Sequence, residues 1–242
     1  MPDLSVVIPA YNEEDRIVPT LTAALDYLAR RGAPAEVVVV SDGSRDRTAD
    51  VVRAFTPPAN VTLRMLEYHP NRGKGYAVAY GMTRAEGGRV LFMDADYSVP
   101  MEELEKAEAL IAAGADVAIA SRALPESRVE EYQNLPRRLS ARLYTLVQNL
   151  WLGFSYPDTQ CGFKMFTQPA ARDLFSRQKL SSVIFDAEIL WLAKRRGLRV
   201  AQFPVQWSHV GDSRIQYDSL KKSLFVFQEL FRIKTLHRKE EG

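Results

Sequence analysis

Short apolar runs alternate with helical spacing along the first half of the chain. The runs are rich in β-branched residues and most are continuous, which is typical of strands buried on both faces of a sheet. Strands separated by helices need crossover connections, so the pattern predicts an α/β fold with a mostly parallel sheet flanked by helices. The predicted strands span residues 4–9, 36–41, 61–68, 89–94 and 116–121.

Helical patterns lie between these strands and dominate the second half of the chain. In the first helix, apolar residues recur at intervals of three and four, which places them on one helical face. The predicted helices span residues 17–28, 46–55, 101–113, 139–151, 185–196 and 217–237, and a late strand spans 199–205. Since we find no internal repeat and no linker, we expect one domain over residues 1–242 with a C-terminal helical elaboration.

Composition narrows the function classes. Hydrophobic residues make up 46% of the chain, enough for a large core, and the net charge of +2 is too small to argue for a nucleic-acid partner. The single cysteine excludes a disulfide within the chain, which fits a reducing compartment. We see neither a signal-peptide pattern nor an apolar window of about 18 residues, so we expect no secretory leader and no membrane span.

Acidic residues follow two of the predicted strands. Asp42 follows the second strand, and Asp94 and Asp96 follow the fourth, where ligands of parallel sheets bind. Paired carboxylates suit Mg²⁺ or Mn²⁺, which complete their coordination with phosphate oxygens and water. The alternative is a solvated turn in which Asp94 caps the next helix. The sequence has no histidine cluster of the kind that binds zinc. It also has neither a dinucleotide-binding nor a P-loop glycine pattern.

The order of four motifs adds a family resemblance. VVIPAYNEE, VVSDGSRDRT, NRGKGYAVAYGM and LFMDADYS resemble the family 2 inverting glycosyltransferases, over residues 4–122. SRAL, DTQCGFKMF, FDAEIL and HVGDSRI, further along, resemble the dolichyl-phosphate glucosyltransferase branch, which is close to the dolichyl-phosphate mannose synthases. The resemblance implies a GT-A, Rossmann-like fold, with residues 4–122 binding the nucleotide sugar. Residues 123–242, including the C-terminal helix, would bind the acceptor.

The resemblance implies roles for residues of the first half. Asp42 matches the acid that hydrogen-bonds the base, and Gly73 and Lys74 would lie near the donor. Asp94 would hold ribose or metal, and Asp96 would bind the Mg²⁺ or Mn²⁺ that bridges the diphosphate. The ion would stabilise the charge that develops on the leaving group. The loop expected to cradle base and ribose contains Pro9, Ala10, Tyr11 and Glu13.

The acceptor side of the resemblance is rich in arginine. Arg122, Arg137 and Arg214 match positions that hold the acceptor phosphate, with Arg138 as the neighbouring alternative to Arg137. A phosphate monoester is anionic near neutral pH and attacks C1 without a base. A hydroxyl acceptor would need a general base, for which Asp186 is the candidate. With a phosphate acceptor, Asp186 and the acid of DTQCGFKMF would orient substrate.

The predicted function is transfer of a hexose, glucose from UDP-glucose, to a polyprenyl phosphate with inversion. The alternatives are GDP-mannose as the donor or a hydroxyl as the acceptor. Ser98 stands where mannose synthases often carry a metal-contacting glutamine. A non-catalytic sugar-nucleotide-binding module is a third interpretation, against which the presence of both Asp94 and Asp96 argues.

Two amphipathic segments predict a peripheral contact with a membrane. One spans residues 139–152, and the other is the terminal helix. The terminal helix carries apolar residues on two sides, Leu220, Leu224, Phe227 and Phe231 on one and Phe225, Val226, Ile233 and Leu236 on the other. Binding to anionic lipid on the cytoplasmic face of a membrane is one explanation, and packing between two chains of a homodimer is the other.

Overall fold

The central sheet contains seven strands in the order β3-β2-β1-β4-β7-β5-β8. The structure is a computed structural model that describes residues 1–130, 135–208 and 220–238, with the side chains of 135–139 and 220–223 excepted. A pair of short parallel strands, β6 and β9, lies apart from this sheet. The strands are β1 (Leu4–Ala10), β2 (Ala35–Asp42), β3 (Val61–Tyr68), β4 (Arg89–Met93), β5 (Val117–Ser121), β6 (Arg128–Glu130), β7 (Phe163–Thr167), β8 (Val200–Pro204) and β9 (Gln206–Ser208).

Helices cover both faces of the sheet. A 3₁₀ turn, Met101–Glu103, precedes the fourth helix. The helices are α1 (Ile17–Arg31), α2 (Thr48–Arg53), α3 (Lys74–Met82), α4 (Leu104–Ala112), α5 (Leu135–Leu152), α6 (Gln168–Arg177), α7 (Phe185–Arg195) and α8 (Leu220–Leu236). Among the described residues, no helix combines the length and apolar character that crossing a bilayer requires.

The pairing of the strands confirms the predicted mostly parallel α/β fold. β1 pairs in parallel with β2 and β4, β2 with β3, and β5 with β8. β7 is antiparallel to both of its neighbours, β4 and β5. The sequence analysis missed β7 because Lys164 interrupts its short apolar run, and it missed α3 and α6 as well.

The continuous apolar strands are buried on both sides, as predicted. In β1, Val6 and Ile8 belong to the core beneath α1 and α4, whereas Val7 belongs to the core beneath α3, α6 and α7. All three residues have no exposed surface. The carboxyl ends of β2, β1 and β4 therefore meet at one edge of a rigid sheet.

The apolar stripe predicted in 139–151 is divided between the core and the surface, since Val147 and Trp151 pack against the core and three of its leucines face outward. Leu143, Leu146 and Leu150 of α5 are all more than half exposed. Helical spacing identifies an apolar face, but it does not tell whether the protein buries that face. The aromatic residues of the same helix contact α8 instead, with the rings of Trp151 and Phe231 5.1 Å apart.

The two predicted apolar sides of the terminal helix do not coincide with its buried and exposed sides. Val226 and Ile233 are buried, whereas Phe225, predicted on the same side, is 48% exposed, and Phe227 of the other predicted side packs against the core. We call the exposed residues of the two helices the outer apolar face: Leu143, Leu146 and Leu150 of α5, and Leu224, Phe225 and Phe231 of α8. Residues 217–219 of the predicted helix lie outside the described residues.

We expect Gly81→Ala to destabilise the fold, although alanine is normally favoured over glycine in a helix by about 1 kcal/mol. A Cβ at Gly81 would lie 2.4 Å from Cγ1 of Val7, so α3 would have to move away from the sheet. The expected loss is about 1–3 kcal/mol in the free energy of unfolding, measured with urea. Gly88→Ala is the control, because its nearest neighbour is 3.6 Å away. Equal stability of the two variants would contradict this packing.

Candidate active site

The loop after β1 lies beside the loop after β2. Pro9 and Ala10 end β1 and are buried, and Tyr11 follows with 38% of its surface exposed. Asn12 has a left-handed backbone (φ 55°) and accepts a hydrogen bond from the N–H of Arg45. These contacts join the two loops at the carboxyl edge of the sheet.

Glu13 is buried at the start of this loop and is tied to two neighbours. Its carboxylate accepts a hydrogen bond from Nε of Arg16 at 2.6 Å. Its backbone N–H donates to Thr48 Oγ1 at 2.8 Å. The structure thus gives Glu13 a role in joining α1 and α2, and its contact with a donor stays a prediction.

Asp42 organises the loop that precedes α3. Its buried carboxylate accepts hydrogen bonds from the backbone N–H groups of Arg72 and Gly73 at 2.7 and 2.9 Å. The side chains of Tyr68 and Asn71 also donate to it, both at 2.9 Å. Burial and the Asp42 carboxylate both raise the pKa of Tyr68. Asp42 therefore fixes residues 71–73, and its predicted contact with a base remains untested.

Lys74 brings a positive charge to the predicted metal ligand Asp94. Its ammonium lies 2.7 Å from Oδ1 of Asp94. Burial opposes the charge on Lys74, but the carboxylates of Asp94 and Asp186 outweigh it and raise the pKa of the ammonium. Lys74 is the first residue of α3, so the fixed loop before it determines where this charge lies.

Gly162 leaves the room that the Asp94 side chain occupies. A Cβ at this position would lie 2.0 Å from Oδ2 of Asp94, so any side chain would displace the carboxylate. The carbonyl of Gly162 also accepts a hydrogen bond from the N–H of Asp94 at 3.0 Å. The segment before β7 thereby sets the direction of Asp94.

Asp186 pairs with a lysine that the sequence analysis did not identify. Lys164 of β7 is 2% exposed, and its ammonium donates to Asp186 and to the carbonyl of Cys161, both at 2.6 Å. Burial raises the pKa of Asp186, although Lys164 and Lys74 oppose the shift. The ammonium groups of Lys74 and Lys164 each lie 5.6 Å from the ring of Phe92. We call Lys74, Asp94, Lys164 and Asp186 the charge cluster.

Asp96 stands two residues beyond Asp94 at the same edge. Its Oδ1 accepts a hydrogen bond from the N–H of Ser98 at 3.0 Å, across Tyr97 in a left-handed conformation (φ 54°). The described residues contain no group of three or more acidic, histidine or cysteine side chains that could hold a metal ion. Two half-buried carboxylates fit Mg²⁺ or Mn²⁺ only if a ligand such as a diphosphate supplies further oxygens. The carboxylates of Asp94 and Asp96 thus fit an ion that is bound together with a nucleotide.

Arg122, predicted as a phosphate ligand, is engaged by Asp158. Its Nε and Nη2 donate to the two carboxylate oxygens at 2.7 and 2.9 Å. Burial alone would raise the pKa of Asp158, but the guanidinium outweighs it and lowers this pKa to about 2. The side chain of Arg137 and all of Arg214 lie outside the described residues. Their predicted convergence with Arg122 is therefore untested.

The structure thus brings Lys74, Asp94 and Asp186 together among the predicted residues, with Asp42 supporting Lys74 from the adjoining loop. The sequence analysis missed Lys164 and Gly162. The signal for Lys164 was a single lysine inside the apolar run FKMF, where burial demands a partner of opposite charge.

Three relatives of this chain carry the same activity in their names. The protein named Dolichyl-phosphate beta-glucosyltransferase ALG5C, from Trichomonas vaginalis, is 35% identical over 228 residues, which cover 89% of this chain and 67% of the relative. Dolichyl-phosphate beta-glucosyltransferase from Drosophila melanogaster is 35% identical over 225 residues, covering 88% and 69%. The protein of the same name from Saccharomyces cerevisiae is 34% identical, covering 90% and 71%.

Solved structures share the fold at lower sequence identity. Glucosyl-3-phosphoglycerate synthase from Mycobacterium tuberculosis has a TM-score of 0.66 at 19% identity, covering 97% of this chain and 80% of that one. The mannosyltransferase PcManGT from Pyrobaculum calidifontis, in complex with GDP-Man and Mn²⁺, has a TM-score of 0.58 at 23% identity. The match covers 88% of this chain and 58% of PcManGT. The model of the family described as Glycosyl transferase family 2 matches residues 5–175, and the chain belongs to this family.

Proposed function

We propose that this glycosyltransferase moves glucose from UDP-glucose to a dolichyl-type polyprenyl phosphate with inversion. The observation that carries the proposal is the position of Asp94 and Asp96 at the end of β4, with the ammonium of Lys74 2.7 Å from Asp94. The names of the relatives support the sugar and the acceptor. In this proposal residues 4–122 bind the donor and residues 123–242 bind the acceptor, within a single domain.

The donor diphosphate is bound where two carboxylates and an ammonium meet. When bound by Asp94 and Asp96, Mg²⁺ or Mn²⁺ supplies positive charge to the diphosphate leaving group. Lys74, next to Asp94, adds a fixed positive charge for the diphosphate oxygens. Asp42 keeps the loop that precedes Lys74 in place. Pro9, Ala10, Tyr11 and Glu13, with Asp42 and Gly73, line the nucleotide side of the site in this proposal.

The acceptor is a phosphate that needs no general base. Asp186 is paired with Lys164 at 2.6 Å, which supports an orienting role over proton abstraction from a hydroxyl. Arg122 is held by Asp158 in a bidentate pair, so its guanidinium has a fixed plane against which a phosphate can bind. We retain Arg137 and Arg214 as the other phosphate ligands on the basis of the family resemblance.

GDP-mannose is the second candidate donor, because the mannosyltransferase PcManGT has the same fold. The identities of 34–35% to proteins named as glucosyltransferases favour glucose. The presence of both Asp94 and Asp96 at the end of β4 argues against a non-catalytic module.

We propose that the outer apolar face contacts the membrane that carries the acceptor. Leu150 is 75% exposed and Leu146 is 56% exposed, and Lys234 lies 4.6 Å from the ring of Trp151 between α5 and α8. Apolar side chains next to basic residues suit a surface of anionic lipid. A second copy of this chain is the alternative partner for this face. The cytoplasmic location stays a prediction.

We expect Asp96→Asn to reduce glucose transfer about 100-fold or more, because the amide cannot hold a divalent ion as a carboxylate does. Asparagine keeps the oxygen that accepts the Ser98 N–H, so the loop should remain folded. The measurement is product mass from UDP-glucose and a short polyprenyl phosphate with Mn²⁺ or Mg²⁺. Asp26→Asn, on the exposed side of α1, is the matched control. Normal transfer by the Asp96 variant, or by the wild type in chelator, would overturn the proposal.

We expect Leu150→Glu to weaken binding to anionic vesicles about tenfold or more, because it replaces the proposed apolar contact with lipid by a negative charge that anionic lipid repels. The measurement is sedimentation with vesicles that carry the acceptor lipid, at low and high salt. Val18→Glu is the control, since Val18 is 40% exposed on α1, which the outer apolar face does not include. Unchanged vesicle binding, together with loss of a dimer in analytical ultracentrifugation, would assign the face to a chain–chain contact.

A further inference from the structure

The start of α3, with Lys74 as its first residue, rests together with the preceding Gly73 on a short segment between α6 and α7. We call residues 178–182 the backing segment. The N–H of Gly75 donates to the carbonyl of Ser181 at 2.9 Å. Added Cβ atoms at Gly73 and Gly75 would lie 2.4 Å from the carbonyl oxygen of Ser181 and 2.7 Å from that of Leu180. The two segments therefore touch backbone to backbone, so a shift of the backing segment displaces the residues around Lys74.

Glu188 holds the backing segment from inside the protein. Its side chain in α7 has no exposed surface. The carboxylate accepts hydrogen bonds from the N–H groups of Lys179 and Leu180, both at 2.9 Å. Gln178 adds a second link, because its amide donates to the carbonyl of Gly75 at 2.8 Å and to that of Leu180 at 2.7 Å. The backing segment is thus fixed on one side to α7 and on the other to the first turn of α3.

The terminal helix reaches the same segment through polar contacts at its inner side. Nε2 of His237, which is 2% exposed, lies 2.6 Å from a carboxylate oxygen of Glu188. Lys179 Nζ donates to the carbonyl of Leu236 at 2.8 Å, and Ser182 Oγ donates to Glu229 at 3.1 Å. The helix that carries part of the outer apolar face is therefore connected to the backing segment at several points.

We propose that Glu188 is a positioning residue for the loop before α3 (residues 71–73) and that the C-terminal segment shares this role through His237, which directly follows α8. The proposal rests on the proposed function in that the loop is taken to bind a sugar nucleotide. Glu188 touches neither the charge cluster nor the strand ends where the donor binds. It acts by fixing the backing segment, which fixes Gly73 and Gly75 and hence the ammonium of Lys74. Asp42 fixes the same loop from its other side.

The test is Glu188→Gln. The substitution keeps the size of the side chain, but one oxygen becomes an amide NH₂ that cannot accept, so the backbone N–H of either Lys179 or Leu180 loses its acceptor. In the absence of any nucleotide, we expect amide exchange of a peptide covering residues 72–76 to become about tenfold faster. We expect KM for UDP-glucose to rise about tenfold while kcat at saturating donor changes less than about twofold.

Glu36→Gln is the matched control. Glu36 is also a buried glutamate, 2% exposed, and it accepts hydrogen bonds from the side chain of Ser5 and the N–H of Glu86. It lies at the opposite, amino-terminal end of the sheet, in the second residue of β2. A general loss of stability should appear in both variants, whereas faster exchange at 72–76 and the raised KM should appear only with Glu188→Gln.

His237→Phe tests the part assigned to α8 and also serves if Glu188→Gln does not fold. It keeps a ring against Trp191 but removes the contact with Glu188. We expect faster amide exchange at 72–76 and a higher KM for UDP-glucose, both by less than in Glu188→Gln. Exchange at 72–76 that matches the Glu36 control in every folded variant would overturn the proposal. Faster exchange in a protein that binds no UDP-glucose would support the positioning role and refute the proposed donor.

Discussion

The insertion of an antiparallel strand beside β4 is the constraint on which the candidate site depends. β7 separates β4 from β5, and the segment leading into it places Gly162 against the carboxylate of Asp94. The same strand carries Lys164 into the interior, where an unpaired ammonium would cost several kcal/mol. Asp186 and the carbonyl of Cys161 accept its hydrogen bonds and offset that cost. One strand thus orients the predicted metal ligand and fixes the second ion pair of the charge cluster.

The other half of the charge cluster is fixed by a loop held from two sides. Asp42 accepts the N–H groups of Arg72 and Gly73 from the end of β2, and Ser181 accepts that of Gly75 from the backing segment. Lys74 lies between these supports, so its charge has little freedom to leave Asp94. A fixed positive charge stabilises a diphosphate leaving group without the reorganisation that a mobile side chain would need.

The strands that lead to the site could be predicted because β1, β2 and β4 contain continuous apolar runs that are followed by polar residues. Asp42, Asp94 and Asp96 stand out for that reason. β7 could not be found in this way, because Lys164 breaks its pattern and its partner Asp186 lies 22 residues away in the chain. The pairing of Arg122 with Asp158, across 36 residues, was hidden for the same reason. Leu143, Leu146 and Leu150 of α5 face outward because nothing described packs against them. Periodicity locates an apolar face but carries no information on what packs against it.

The terminal helix contributes both to the outer apolar face and to the support of the loop before α3. His237, the residue that follows α8, contacts Glu188, while Leu224 and Phe231 of α8 remain exposed. A membrane or a second chain that binds the exposed side of α8 would therefore contact a helix that also supports the loop before α3. In the proposed function, contact with the membrane that carries the acceptor and positioning of the donor would therefore involve one connected part of the fold.

The most direct test of the account is a crystal structure of the protein with UDP-glucose and Mn²⁺, with the ion located by its anomalous signal. The account predicts one Mn²⁺ bound by Asp96 and Asp94 and by the diphosphate, with the ammonium of Lys74 in hydrogen-bond contact with a diphosphate oxygen or with Asp94. A diphosphate bound away from the end of β4, or an ion that contacts neither Asp94 nor Asp96, would contradict it.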